Sequence, residues 1–177
     1  MNSDELLRAA MSDNVTKNYG FLGVFSPDTL PVRSMIKDPL LLICNTEDSD
    51  LPGQHWIAIH KDHRGHGFYF DSYGAPPKLP EFMAIMDSCH QWSYNKTQVQ
   101  SLGSTTCGQY CLFFVTHCSR GYSLDNIVEL LDQDDDKFVN DAIVNDFVKR
   151  NFDFDFPLID KPFLMKQIAK QLSSISD

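Results

Sequence analysis

One cysteine stands where the chain changes from a polar turn to an apolar run. Cys107 follows SLGSTT and begins CGQYCLFFVTHC, which predicts that it lies in the first turn of a helix with Ser104, Thr105 and Thr106 as capping residues. Unpaired backbone N–H groups at that position stabilise a thiolate, and a thiol with a lowered pKa is a nucleophile at neutral pH. Gly108 is expected to leave room for a substrate backbone. The alternative is that Cys107, like Cys111 and Cys118 at helical spacing, fills the core.

A general base for that thiol is offered by His55. If residues 54–60 and 67–73 pair as an antiparallel hairpin around His63, His55 lies directly opposite Asp71, with the two Cβ atoms about 5 Å apart. A shift of one residue would place them on opposite faces, so the inference depends on the turn. Cysteine, histidine and aspartate then match a nucleophile, a base and the group that orients the base.

A tetrahedral intermediate also needs hydrogen-bond donors for its oxyanion. Gln100 lies seven residues before Cys107, and its side-chain amide together with the Cys107 N–H is expected to form the oxyanion hole. Gln98 is a competitor, because residues two apart on a strand share a face. The residues alone leave this choice open.

The elements that must position these side chains indicate one α+β domain over residues 1–177, with a small central mixed sheet packed against helices. Ser3 is expected to cap a first helix, and a looping segment of about twenty residues to follow, marked by Asn18, Gly20, Gly23, Pro27 and Pro31. Predicted strands are Pro39–Cys44, His55–His60, Gly67–Tyr73 and Thr97–Gln100. Predicted helices are Leu79–Cys89, Cys107–Cys118, Ser123–Leu131, Asp136–Arg150 and Pro162–Ser173. Phe152, Phe154 and Phe156 alternate with aspartates as in a strand.

Composition limits the function classes. The chain has 24 acidic and 15 basic residues, a net charge of -9 that argues against a wide nucleic-acid footprint. Its five cysteines are an odd number, which favours reduced thiols. No apolar run reaches the length of a membrane span, and the acidic start MNSDELLRAA does not resemble a signal peptide, so a soluble, non-secreted monomer is expected. His60, His63 and His66 are interpreted as a solvated turn bounded by glycine, and no metal site is expected.

The order HW, FYFDSYG and VQSLGSTTCG resembles the adenovirus protease (adenain) family and, more loosely, the proteases of ubiquitin-like proteins. The segment DELLRAAMSDNVTKNYGFLGVFSPDTLP is also similar to the adenain N-terminus, and the similarity extends from about residue 3 to 120. The resemblance implies an adenain-like cysteine protease fold with His55 as base, Asp71 in place of a glutamate, and Cys107 as nucleophile. It also implies Gln100 rather than Gln98 as the oxyanion donor, and Trp56 packed beside the imidazole.

The resemblance further implies a thiol protease that processes viral capsid and core precursors at glycine-containing sites, in the virion and the host nucleus. Adenain is activated by a disulfide-linked peptide and by DNA. Cys89 lies eighteen residues before Cys107, the spacing of the activating thiol, so it is a candidate for a disulfide to an activating peptide. The acidic charge argues against DNA, although Lys61, Arg64 and Lys78 could form a small basic patch.

Two alternatives remain open at this point. One is a deconjugating protease for a ubiquitin-like modifier, which would use the same catalytic residues. The other is a catalytically silent relative that binds peptides or assembles particles. Cleavage at internal glycine-containing sites or release of a folded modifier would separate the two enzymes.

Overall fold

The strands form one five-stranded mixed sheet with helices on both faces, in a computed structural model that describes residues 1–31 and 38–152. The helices are α1 (Ser3–Ser12), α2 (Asn14–Tyr19), α3 (Pro80–Met86), α4 (Cys107–Cys118), α5 (Leu124–Leu131) and α6 (Lys137–Asn151), with one 3₁₀ turn at Pro27–Thr29. The strands are β1 (Phe21–Phe25), β2 (Leu40–Asn45), β3 (Trp56–Lys61), β4 (His66–Phe70) and β5 (Gln91–Tyr94). They lie in the order β1-β2-β3-β4-β5, and the outer pairs are parallel while β2, β3 and β4 are antiparallel.

The central strands are apolar on both faces because both faces are covered. On β2, Leu41 and Ile43 belong to the core beneath α1, α4 and α6, whereas Leu40 and Leu42 belong to a second core with α3. Strand side chains alternate between faces, so such a strand is hydrophobic at every position instead of at every second one. This burial fixes the register of the strands that carry the site.

Helix α4 is the central helix, and its bounds are those predicted. Cys111, Phe114, Val115 and Cys118 are fully buried, as expected for a core face. The opposite side of the helix is buried as well, because α5 and α6 lie beyond it. A helix that is apolar all round belongs inside a protein, and this one is therefore a rigid support for Cys107.

The predicted α+β class and mixed sheet are confirmed. Ser123 and Asp136 prove to be the N-cap residues of α5 and α6, and α3 is shorter than predicted because it ends at Met86. Gly65 takes the positive φ of 78° expected in the turn between β3 and β4. The predicted helix Pro162–Ser173 and the alternating segment beyond Phe152 lie outside the described residues.

Three predictions about local structure were wrong. The segment expected to be a loop from Asn18 to Pro31 contains the end of α2, strand β1 and the 3₁₀ turn. Residues 97–100 are not a strand; the edge strand is Gln91–Tyr94, which carries alternating polar and aromatic side chains. The N-cap of α1 is Asn2, which accepts a hydrogen bond from Glu5 N–H in a capping box, so Ser3 is the first helical residue.

His60 is also not solvated as predicted. It is buried under α2, where its Nε2 lies 2.9 Å from the Tyr19 hydroxyl, and its ring stacks on Phe68. Burial is the main reason that its pKa is lowered to about 4. The sequence pattern did not indicate this, because no helix was predicted for the residues around Tyr19.

Candidate active site

The predicted base and acid lie at one end of the sheet, close to the start of α4. His55 immediately precedes β3 and Asp71 immediately follows β4; since these strands are antiparallel, the two residues meet at the same edge. The Nε2–H of His55 donates to Oδ1 of Asp71 over 3.0 Å. The predicted pairing of side chains is therefore present in the structure.

The register that brings them together differs from the prediction by two residues. Ala58 pairs with Phe70, so the ladder if continued would place His55 opposite Tyr73 and not opposite Asp71. A shift of two keeps every side chain on its face, so His55 and Asp71 remain diagonal neighbours. The ladder itself ends at Phe70, and Tyr73 lies in the turn that follows, where its ring is 5.1 Å from the imidazole at an interplanar angle of 30°.

Asp71 is buried and held by groups that the sequence did not reveal. The backbone N–H of Tyr73 donates to the same Oδ1 that binds His55, over 2.8 Å. The side chain of Asn95 accepts from the Asp71 N–H and donates to the Asp71 carbonyl, at 2.9 and 2.6 Å. Asn95 follows the edge strand β5, so its role could not be seen without the pairing of β4 with β5.

The electrostatics favour a protonated imidazole. The His55 side chain is 17% exposed. Burial alone would lower its pKa, but the hydrogen bonds to Asp71 and Cys107 and the charges of both raise the pKa to about 9. Because Nε2 is engaged by Asp71, Nδ1 is the ring nitrogen left for proton transfer.

Cys107 is the first residue of α4, as predicted, and its thiol pKa is lowered. Burial by itself raises the pKa, but the hydrogen bond with His55 and the backbone N–H groups of Trp56 and Gly108 outweigh it. The expected capping is absent: Thr106 is the N-cap residue but its hydroxyl makes no cap bond, so the first-turn N–H groups stay available near the sulfur. Cysteine and histidine shifts in these directions favour the thiolate–imidazolium form of the pair.

Gln100 lies in the loop before α4, fully buried, with both ends of its amide bound. Its Oε1 accepts from the Ser72 hydroxyl at 2.6 Å, and its Nε2 donates to the Ser104 carbonyl at 2.9 Å and faces the Tyr73 hydroxyl at 3.2 Å. The Nε2 of Gln98 instead donates to the backbone carbonyl of Gln100. The role of Gln100 as oxyanion donor stays a prediction.

The space beside Gly108 is filled by protein. A Cβ at this position would lie 3.3 Å from Leu6 and Met1 side-chain atoms and 3.5 Å from Trp56, so this glycine serves packing and not the approach of substrate. Trp56 donates its indole N–H to the Met1 carbonyl at 3.1 Å. Trp56 therefore packs beside Gly108 and Met1, whereas Tyr73 supplies the aromatic ring that contacts the imidazole.

A cleft of about 390 Å³ opens beside Trp56, the residue that follows the predicted base. Its walls come from the start of α1 and from the loop between β2 and β3, including Glu5, Asp48, Leu51 and Gly53.

The remaining candidates lie away from the site. Cys89 follows α3 and is half-buried, and its thiol donates a hydrogen bond to the Ile85 carbonyl at 3.6 Å. Burial is the main reason that the pKa of this thiol is raised. Its predicted link to an activating peptide stays a prediction. Lys61 is paired with Asp38 at 2.9 Å, which neutralises one member of the expected basic patch. All five cysteines are free.

Membrane-spanning helices and metal-binding clusters are both absent from the described residues. Within residues 1–31 and 38–152, no helix has both the length and the hydrophobicity needed to cross a bilayer. In the same part of the chain, no three histidine, cysteine or carboxylate side chains are arranged to hold a metal ion.

The fold is that of a known protease. The chain superposes on the crystal structure of the ASFV pS273R protease with a TM-score of 0.52 and 18% identity, covering 80% of this chain and 67% of that one. A selenomethionine structure of the same protease matches with a TM-score of 0.45 and 22% identity over 60% of this chain and 43% of that one, so the chain spans less than half of it. No protein-family model and no curated protein matches the sequence.

Proposed function

We propose that the chain is a cysteine endopeptidase in which Cys107 is the nucleophile, His55 the acid and base, and Asp71 the group that orients the imidazole. The observation that carries the proposal is the buried His55–Asp71 hydrogen bond beside a helix-start thiol, with the pKa of the histidine raised and that of the cysteine lowered. Sharing a fold with a viral protease, pS273R, supports the same reaction class.

The reaction begins with the thiolate. The Cys107 sulfur attacks the scissile carbonyl carbon, and a C–S bond forms while the carbonyl electrons move to oxygen. The Cys107 N–H and the Gln100 amide hold this oxyanion in the proposal. When the C–N bond breaks, the His55 imidazolium gives its proton to the leaving amine and a thioester remains.

Hydrolysis of the thioester returns the enzyme to its starting state. Neutral His55 removes a proton from water as the oxygen attacks the acyl carbon, and the C–S bond then breaks. The acid product leaves, and the thiolate and imidazolium are both regenerated. Asp71 keeps the same ring nitrogen bound throughout, so Nδ1 faces the reacting atoms in both halves.

The substrates that we propose are precursors of viral capsid and core proteins, cut at glycine-containing sites during particle maturation. The adenain resemblance supports this proposal and is our reason for proposing virions and the host nucleus as the location, and a viral protease with this fold is consistent with it. On the same grounds we propose that Cys89 binds an activating peptide. The acidic chain, net charge -9, does not favour DNA as activator.

The test compares wild-type protein with Cys107→Ala on a peptide library that contains internal glycine sites. Turnover only by wild type supports the endopeptidase, and Cys89→Ala assayed without added peptide is the matched thiol control. Stimulation by capsid-precursor peptides that Cys89→Ala abolishes would establish the activating thiol. Release of a folded modifier without peptide cleavage would instead identify a deconjugating protease, and activity in Cys107→Ala would refute the assignment.

A further inference from the structure

The loop from Ser101 to Thr106 joins the two groups assigned to the oxyanion hole, yet it has little packing of its own. Leu102 at its outer turn is 78% exposed. Gly103 takes a φ of 85°, and a Cβ added there would find no atom within 4 Å. Hydrophobic packing therefore does not fix the separation between Gln100 and Cys107, and some other contact must do so.

A single buried carboxylate binds both ends of this loop. Asp141 belongs to α6 and is 7% exposed. At the first end of the loop it accepts from the Ser101 hydroxyl and, at 3.4 Å, from the Ser101 N–H. At the other end it accepts from the Thr106 hydroxyl at 3.1 Å, and the hydroxyl of Tyr110 in α4 donates to it at 2.9 Å.

The middle of the loop continues the connection to the oxyanion donor. The hydroxyls of Thr106 and Ser104 lie 2.5 Å apart. The carbonyl and hydroxyl of Ser104 in turn accept from Nε2 of Gln100, at 2.9 and 3.1 Å. A continuous set of hydrogen bonds thus runs from Asp141 through the loop to the Gln100 amide.

Carboxylate chemistry suits this position better than a neutral side chain does. Burying a charge is costly unless hydrogen bonds replace its water, and every donor to Asp141 here is a hydroxyl or a backbone N–H. A carboxylate only accepts, and here Oδ1 faces the Ser101 N–H and the Thr106 and Tyr110 hydroxyls while Oδ2 accepts from the Ser101 hydroxyl. An apolar residue would leave these donors unpaired and the loop ends free.

We propose that Asp141 is a positioning residue that sets the geometry of the oxyanion hole by binding both ends of the Ser101–Thr106 loop. The inference rests on the proposed function and adds a residue outside the segment that resembles adenain. Asp141 touches neither the thiol nor the imidazole, so it acts on the stabilisation of the intermediate and not on the nucleophile. This separation makes the proposal testable.

The experiment measures two properties in each variant. Alkylation of Cys107 by chloroacetamide reports the thiolate and needs no oxyanion hole, whereas peptide turnover and inhibition by a peptide aldehyde need one. Asp141→Ala is expected to lower kcat by about 10- to 100-fold and to weaken aldehyde inhibition, with KM and the alkylation rate near wild type. Asp141→Asn keeps an oxygen for three of the donors and is expected to recover most of the activity.

Three further variants control for a general loss of folding. Ser101→Ala removes one hydroxyl bond at the loop and is expected to lower kcat by several-fold to about tenfold. Tyr110→Phe removes a hydroxyl that lies 2.9 Å from both Asp141 Oδ1 and the Val99 carbonyl, outside the loop, and is expected to leave kcat within about twofold. Asp146→Asn, on the same helix and exposed, is the surface control.

The outcomes separate the two proposals. An active wild type with unchanged kcat in Asp141→Ala overturns the positioning role and leaves the proposed function standing. The positioning role is likewise overturned if alkylation falls as far as turnover in both Asp141→Ala and Ser101→Ala, or if Tyr110→Phe loses as much kcat as Ser101→Ala. A wild-type protein that neither cleaves peptides nor binds the aldehyde overturns the proposed function, and the positioning role with it.

Discussion

Replacing Asp71 by asparagine should remove a charge from the site without turning the imidazole round. Oδ1 of Asp71 accepts from both the Tyr73 N–H and His55, so an asparagine oxygen is held in the same place by the backbone. The His55 Nε2–H then keeps an acceptor. What is lost is the carboxylate charge that holds a proton on the ring.

The size of the effect follows from the pKa of His55. A rise of the His55 pKa from 6.5 to about 9 means that the site stabilises the imidazolium by about 3 kcal/mol. Asp71 and Cys107 together supply this net stabilisation, in addition to what offsets the opposing effect of burial. The imidazolium is present below pH 9 and lost as the pH rises through it. In Asp71→Asn, loss of the charge should move this upper limit down by about one pH unit and lower kcat/KM at pH 8.5 by about threefold.

The assay is the pH dependence of kcat/KM and of chloroacetamide alkylation in wild type, Asp71→Asn and Asp71→Ala. The alanine variant should lose more, about 100-fold, because its imidazole also loses the bond that orients it. The two pH limits belong to the coupled pair, so both should move in Asp71→Asn. An upper limit that stays near pH 9 would refute the argument, and Asp146→Asn controls for a change of surface charge.

Three other perturbations test the framework. The contribution of neutral His60 to the free energy of unfolding should be complete above pH 6.5. It should fall by up to about 3 kcal/mol as the pH drops from 6.5 through 4, because unfolding lets the buried His60 take up a proton more readily. Urea titrations of His60→Phe should show a flatter pH profile. Asn95→Ala should lose about 2 kcal/mol in urea unfolding and also kcat, since it leaves buried groups of Asp71 unpaired; unchanged kcat would contradict this. Gly67→Ala would place a Cβ 2.5 Å from the Cys89 sulfur and cost about 1–3 kcal/mol, part of which Cys89→Ala should restore; strictly additive losses would argue against the contact.

The parts of the site that the sequence could predict are those set by local pattern. Cys107 was identifiable because a polar turn meets a helix there, and the predicted helix bounds are confirmed. The hairpin gave His55 and Asp71 their common face even though the register was wrong by two residues, because side-chain alternation depends only on whether the shift is even. Tyr73 was missed because it lies in the turn after β4, whose conformation the alternation of a strand does not define.

The parts that could not be predicted depend on distant pairing. Asn95 reaches Asp71 only because β5 lies parallel to β4, and a strand of four residues is too short for its alternation to be recognised. Asp141 contacts Ser101 from 40 residues away in the chain. The prediction for His60 was wrong because the helix that covers it was not recognised, and no local pattern distinguishes a covered histidine from an exposed one at a hairpin end.

His55 and Asp71 are positioned by the sheet, whereas Gln100 and Cys107 are positioned by α4 and the loop before it. Ser72 connects these two parts of the site. Its carbonyl accepts from the N–H groups of Val99 and Gln100, and its hydroxyl fixes Oε1 of the Gln100 amide. The amide nitrogen is therefore forced toward Ser104, where one N–H is used at 2.9 Å while the other faces weaker contacts at 3.1 and 3.2 Å. In the proposed mechanism that second N–H exchanges these weaker contacts for the oxyanion while Oε1 stays on the Ser72 hydroxyl. A donor fixed before the reaction costs no reorganisation when charge develops, so the polar contacts around Gln100 serve catalysis by limiting its freedom.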